Sequence, residues 1–429
     1  MKLFRMNNKQ CIPFLVWLFT LLIPIFTIAQ VDITKLNEYV AAKDCEKSIK
    51  FIEKNVDQVL TSDPQYPEFY KVAISIFKDC GDLEQETEFR TNLYNFYKVI
   101  NPRGAAVQAF YLGNRYYLRQ NDSSIHYSSI AADIFKQEYG ETDIRHTMAL
   151  NTLGSAYKAN GEYTRARRTY LDARKIKERI EAFDSQYAKI LNGLGDLYTR
   201  TYKYDDAEDC LEVSLKLKKE LKGENSDYAR TLFSQTILWQ SLGDQENLLN
   251  ALKGIQKVSG IFKEENRTYL FIKSKILEGQ IYNSLDSAQQ AIKILEGIIE
   301  KYPPESEQNQ ISREDREDLS IIFHSLSLAW EKGKDPLKAI DYSEKALDQM
   351  AQANGIHHPK YALELRDHAD LLYEINRSDT LDNLYLRSSE IIEKTYRKNN
   401  YEYYRSQHAY FIYLVRSGQQ GKALRIYEK

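Results

Sequence analysis

LNTLGSAYKANGEYTRARRTYLDA, residues 150–173, holds the repeat that decides the fold. Leu150, Leu153, Gly154 and Tyr157 fall at helical spacing on one face. Asn160-Gly161 breaks the helix and turns the chain. Tyr163, Ala166, Tyr170 and Ala173 then mark a second helix. The opening phrase returns at a fixed interval of 41 residues: Leu112-Gly113-Tyr116, Leu153-Gly154-Tyr157 and Leu194-Gly195-Tyr198. Tyr163 and Tyr204, and Ala166 and Ala207, keep the same register. A fixed period of this length predicts a repeat solenoid, which is a binding surface before it is anything else.

The small residues have a steric reading. Gly154 and Ala166 let two helix backbones approach closely, and Tyr157 and Tyr170 fill the space beside them. Weaker units extend the pattern. Trp239, Gly243 and Leu248 continue it; Trp330, Ala339, Tyr342 and Ala346 give a unit near 320–350. Phe77, Gly81 and Tyr94 suggest a divergent copy upstream, and Gly418, Ala423 and Tyr427 open one near the end. Pro64, Pro102, Pro303 and Pro359 fall between units, where a proline ends one helix and permits the next. The expected architecture is all-α, an α-solenoid of about ten antiparallel helix pairs. Residues 30–302 and 318–429 are read as repeats, the last incomplete, and 303–317 as a polar inter-repeat loop rather than a linker. In the final unit, Ala423, Leu424, Ile426 and Tyr427 are expected to face nothing unless a partner or another copy covers them.

The 429 residues include 18 Gly, 9 Pro and 32 Tyr, a balance that favours long helices with half-buried aromatic seams. Residues 1–29 read as a signal peptide. Lys2, Arg5 and Lys9 precede an apolar run from Ile12 to Ile28, and cleavage is expected after Ala29; an uncleaved anchor is the alternative. The mature chain is then exported, periplasmic or extracellular for a bacterial source. Removing the three leader cations from 59 basic residues leaves 56 against 61 acidic, a net charge of −5. That gives no electrostatic case for nucleic acid or a membrane surface. Cys45 and Cys80, in the phrases Lys43-Asp44-Cys45 and Lys78-Asp79-Cys80, either form a disulfide in an oxidising compartment or pack as small apolar residues.

The unit resembles the tetratricopeptide repeat, a pair of antiparallel helices. Leu153, Gly154, Tyr157, Ala166, Tyr170 and Ala173 match the family pattern position by position. In the next unit Leu194, Gly195, Tyr198 and Ala207 match, while Leu211 and Ser214 depart from it. The period exceeds the common length of about 34 by close to two helical turns. This longer unit resembles the kinesin-light-chain type, which also occurs in bacterial arrays that precede caspase-like domains. His358-Pro359-Lys360-Tyr361-Ala362 resembles the phrase that opens such units.

The resemblance implies a right-handed superhelix with the first helix of each pair lining a concave groove. It places Asn114, Tyr117, Asn151, Lys158, Lys189, Asn192, Asp196, Arg200 and Arg230 in that groove. Asn151 and Asn192 occupy one position in adjacent units, and a carboxamide both donates to and accepts from a peptide backbone. Lys189, Arg200 and Arg230 suit acidic side chains or a terminal carboxylate.

No catalytic constellation is visible. No cysteine follows Cys210 to serve a caspase-like site, and there is no Gly-rich phosphate loop, G-x-S-x-G or H-E-x-x-H. His357-His358 lack a third metal ligand at recognisable spacing, so neither metal nor cofactor is expected. The reading is a non-catalytic scaffold that binds a protein or peptide. Its alternative is a sensory or regulatory segment severed from an effector such as a caspase-like or histidine kinase domain. Self-association through the open C-terminal end is the third expectation.

Overall fold

The computed structural model describes residues 31–117, 121–303, 311–375, 381–395 and 401–427. The segment 1–29, read above as a signal peptide, lies outside them. Among the described residues there are twenty α-helices, one short 3₁₀ turn and no strand, with consecutive helices in contact. No helix among them is long and apolar enough to cross a membrane. The chain divides into two compact units, residues 1–108 and 109–429, where the sequence suggested one continuous array up to residue 302.

In the first unit, α1 (Ile33–Ala41), α2 (Cys45–Asn55), α3 (Tyr66–Asp79) and α4 (Leu83–Ile100) are followed by α5 (Pro102–Tyr116), whose first turns belong here. Asp32, Asp44 and Asp82 cap three of these helices, each carboxylate accepting from the backbone N–H three residues on. Leu36, Ile52, Phe69, Phe77 and Leu93 fill the core, and Tyr66 stacks on Tyr70. Cys45 opens α2 and Cys80 follows α3, and their sulfurs are bonded, with Cα atoms 5.8 Å apart. The bond ties the α1–α2 turn to the α3–α4 turn.

The second unit continues with α6 (Asn121–Tyr139), α7 (Ile144–Ala159), α8 (Tyr163–Arg179), α9 (Ser185–Arg200), α10 (Tyr204–Lys222), α11 (Ser226–Leu242) and α12 (Gln245–Glu264). Then come α13 (Thr268–Ser284), α14 (Ala288–Ile299), α15 (Arg313–Lys332), α16 (Pro336–Asn354), α17 (Pro359–Glu374), α18 (Leu381–Thr395), α19 (Tyr401–Arg416) and α20 (Gln420–Tyr427). Odd-numbered helices are the first of each pair, and successive ones also touch one another: α7 with α9, α9 with α11, α13 with α15. The hydrophobic interior is a series of clusters along the unit rather than one core, as a stack of small pairs requires.

The glycines serve a purpose the sequence reading placed slightly wrong. What lies against Gly154 is the ring of Tyr170, not a second backbone: a Cβ there would sit 2.8 Å from the ring, and one on Gly193 2.6 Å from it. Tyr170 is fully buried between the two glycines. In the next pair Leu211 covers Gly195, and further on Leu295 covers Gly279. Each covering residue lies 16 positions after its glycine, so a bulky second-helix side chain inserts into a notch on the first helix. Ser214, the other departure from the family pattern, donates its Oγ hydrogen to the Ala188 carbonyl at 2.7 Å and so pins α10 to α9.

Two expectations need correction. The loop read over 303–317 is shorter, because Ser312 Oγ accepts the Asp315 N–H and α15 begins at Arg313; residues 304–310 lie outside the described residues. The last helix is not wholly uncovered. Ala423 is buried with Tyr410, Tyr413 and Leu414, and Ile426 packs at that cluster's margin, while Leu424 is exposed. The side chain of Tyr427 lies outside the described residues.

Candidate functional site

The first helices α7, α9 and α11 lie side by side and form a cleft of about 570 Å3. Capping fixes where each begins. Asp143 accepts the Arg145 N–H, Asp184 accepts from Gln186 and Tyr187, and Asn225 accepts from Asp227 and Tyr228. Ala188 and Ala229, both fully buried, then turn the apolar side of α9 and α11 inward. The opposite side carries the cleft residues. α7 supplies Asn151, Ser155 and Lys158; α9 supplies Lys189, Asn192 and Asp196; α11 supplies Ser226, Asp227, Arg230 and Ser234. Tyr117, Gly193 of α9, Lys218 from α10 and Arg267, which precedes α13, complete the lining.

Seven of the nine groove residues expected from the sequence therefore meet: Tyr117, Asn151, Lys158, Lys189, Asn192, Asp196 and Arg230. Asn114 and Arg200 are not among the lining residues. Asn114 is engaged structurally, donating to the Phe110 carbonyl and accepting from Thr152 Oγ1. Arg200 is exposed in the last turn of α9.

The asparagines carry unspent hydrogen-bonding capacity. Asn192 Nδ2 reaches Ser234 Oγ at 3.4 Å and Asp196 Oδ2 at 3.5 Å, both weak. The Oδ1 atoms of Asn151 and Asn192 are buried and accept no hydrogen bond. A buried acceptor without a donor costs about 1–3 kcal/mol. The terminal torsion of asparagine is broad, so a small rotation turns either carboxamide toward a donor in the cleft.

The charge is unbalanced toward cations. Lys158 Nζ donates to Asp196 Oδ2 at 3.0 Å, joining α7 to α9. Burial works against that ammonium, but Asp196 outweighs it and holds Lys158 above the usual lysine range. Among the described residues, Lys189, Arg230 and Arg267 have no carboxylate at ion-pairing distance, and all three are exposed. Lys218 is buried. It donates to the Asp227 carbonyl at 3.0 Å and to Thr231 Oγ1 at 2.6 Å. Burial pushes its ammonium down to about 8, and Lys189 and Arg230 press in the same direction while Asp227 and Asp196 oppose.

Sequence reading missed Lys218 because it stands on a second helix, which the repeat pattern assigns to the outside. Its long stem carries the amine through to the start of α11. The depressed value has a consequence for stability. An unfolded lysine stays charged up to its ordinary value of 10.5, whereas the folded one is neutral above about 8. Folding is thus penalised in full below pH 8, and the penalty fades as pH rises from 8 to 10.5. It is on the order of 3 kcal/mol. Lys218→Met, which keeps the stem, is expected to raise the thermal midpoint at pH 7. That gain shrinks above pH 8 and is absent near pH 10.5. A gain that is constant with pH, or a loss at pH 7, would contradict this placement.

Of the adjacent histidines, His358 has a structural role. His358 is the N-cap of α17, its Nδ1 accepting the Lys360 N–H at 3.2 Å. Burial, with Lys360 and Arg313 nearby, pushes it down to about 4, so it stays a neutral acceptor.

The fold is a stack of helix pairs built to present such a cleft, the architecture of a repeat scaffold. The tetratricopeptide-repeat family model matches residues 147–185 and 188–227, the pairs α7–α8 and α9–α10. Residues 147–227 are thus tetratricopeptide repeats, and the helix pairs on either side share their architecture. Comparison with curated protein sequences finds no match. Among solved structures, a Rap protein complexed with competence and sporulation factor is 12% identical, with 84% of this chain and 97% of that one covered at a TM-score of 0.60. NprR in complex with its cognate peptide NprX is 11% identical, covering 75% and 88% at 0.51. The apo form of RapI is 18% identical, covering 66% and 97% at 0.50. At these identities the likeness is one of fold.

Proposed function

We propose that this chain is an exported, non-catalytic scaffold whose α7–α9–α11 cleft holds an extended protein segment bearing acidic groups. The observation that carries the reading is the cleft itself. Two unpaired asparagine acceptors sit among cations with no ion-pair partner, beside a lysine kept near its titration point. Peptide N–H groups satisfy the asparagines, and a ligand carboxylate offsets the cost of keeping Lys218 charged. A pre-formed groove of packed helices also lowers the ordering cost of binding. Of the structures named above, the Rap protein holds competence and sporulation factor and NprR holds its cognate peptide NprX. Export rests on the leader-like residues 1–29 and agrees with the Cys45–Cys80 bond, since disulfides persist in oxidising compartments.

The test is selection of binders from a random peptide library by the purified chain, followed by titration of the best ones. Acidic sequences should be enriched. Asn151→Ala/Asn192→Ala should weaken their binding by roughly tenfold, the loss of two hydrogen bonds, with helicity unchanged. Equal capture by wild type and double variant removes the assignment.

A further inference from the structure

A second polar cluster lies well along the stack, where α15 and α17 touch. Here His324 on α15 faces Glu364 and Asp367 on α17. One imidazole nitrogen and one oxygen from each carboxylate all lie within 4.8 Å of one another. His324 Nδ1 is 3.4 Å from Glu364 Oε2. The three side chains are 27%, 14% and 28% exposed, so they are held inside the seam yet open to small solutes.

Polar side chains also meet between other first helices, as Lys158 and Asp196 do, but there a carboxylate is matched by a lysine. Ser214 bonds Ala188 across its helix pair, Ser388 bonds Ala362, and Ser320 bonds Ala346, each over 26 residues. These bonds align the pairs. On that alignment Glu364 stands where α9 has the fully buried Ile190, and Asp367 stands where α9 has Gly193 under Tyr170. His324 stands where α9 has Asn192. The equivalent positions are Thr231 and Ser234 on α11 and Ile322 and Ser325 on α15, so the other seams carry apolar or small neutral residues where this one holds two carboxylates. Arg366 answers one of them, donating from Nε and Nη2 to Asp367 Oδ1 at 2.9 and 2.6 Å. Glu364 has His324. Two part-buried carboxylates thus face one permanent cation, Arg366, and a further counter-charge would offset the second.

We propose that His324, Glu364 and Asp367 bind one divalent transition-metal ion of the zinc class across the α15–α17 seam. Ligand atoms around a tetrahedral zinc stand about 3.4 Å apart, the spacing already present between His324 and Glu364. Asp367 closes the rest by a side-chain adjustment. An imidazole with two carboxylates selects such ions over magnesium and calcium, which take all-oxygen shells. Three protein ligands leave one position for water or a partner's carboxylate. The proposal is independent of peptide binding in the α7–α9–α11 cleft.

The experiment is calorimetric titration of Zn2+ into the metal-stripped, untagged full chain. One site per chain is expected, weakened by at least about tenfold in His324→Ala and in the near-isosteric Glu364→Gln. His357→Ala should leave it intact, and millimolar Mg2+ should not compete. Zn2+ should raise the thermal midpoint of wild type and not of His324→Ala. Unchanged helicity of the two ligand variants excludes misfolding as the cause. Absence of saturable binding below about 1 mM, or binding that both ligand variants retain, overturns the proposal.

Discussion

Tyr170→Ala is expected to cost about 3–5 kcal/mol of stability, the largest loss from any single substitution around the cleft. The ring is fully buried and wedged against Gly154 of α7 and Gly193 of α9. Its hydroxyl bonds Ser155 Oγ at 2.8 Å, and burial pushes that phenol up to about 12, so it remains neutral. One side chain from α8 thus sets the separation of the two helices that carry Asn151 and Asn192. Removing it leaves a cavity that glycines on either side cannot fill. Tyr170→Phe isolates the hydrogen bond and should cost only about 0.5–1.5 kcal/mol. Because each pair is stabilised by its neighbours, the effect should spread to the adjoining units in hydrogen exchange. Urea denaturation within 1 kcal/mol of wild type for Tyr170→Ala would refute the wedge.

The second large effect is in the first unit. Cys45→Ser/Cys80→Ser, or reduction of the native chain, should destabilise that unit by about 4 kcal/mol, the chain-entropy value for a loop of this length. The bond closes 35 residues of separation and links two turns that no helix connects. The buried Arg90–Glu86 pair, which also reaches Gln108, stays in place without it. Two transitions are expected in denaturation followed by site-specific probes, one in each compact unit. The one from residues 31–108 should move on reduction while the other stays. Coincident curves in the presence and absence of reductant would show that the bond contributes nothing.

The repeat itself was legible because its period is enforced by packing. A glycine notch and a bulky residue 16 positions later recur in the pairs α7–α8, α9–α10 and α13–α14. The chemistry of the second residue is freer: Leu211 and Leu295 do for Gly195 and Gly279 what Tyr170 does for Gly154. Turns are freer still. Gly161 has φ +73°, and the equivalent Tyr202 adopts φ +58° without being glycine. This is why a pattern read from glycines thins out along the chain.

The cleft was legible where its residues lie on first helices at the repeat spacing, which is how Asn151, Asn192, Lys189 and Arg230 were found. Lys218 and Arg267 enter from a second helix and from a turn, where the period says nothing about direction. The His324–Glu364–Asp367 cluster spans a full repeat in sequence and matches no short ligand spacing. Asn114 looked equivalent to its neighbours, yet Thr152 and Phe110 consume its amide. Equal position in a repeat does not fix which polar partner stands opposite.

Under the proposed function, a partner is held in the cleft between α7, α9 and α11. Hydrogen–deuterium exchange of the chain with and without its best acidic peptide tests this most directly. Protection should concentrate in residues 144–159, 185–200 and 226–242, and Lys189→Glu/Arg230→Glu should abolish it. Protection confined to α8 and α10, or surviving that charge reversal, would contradict it.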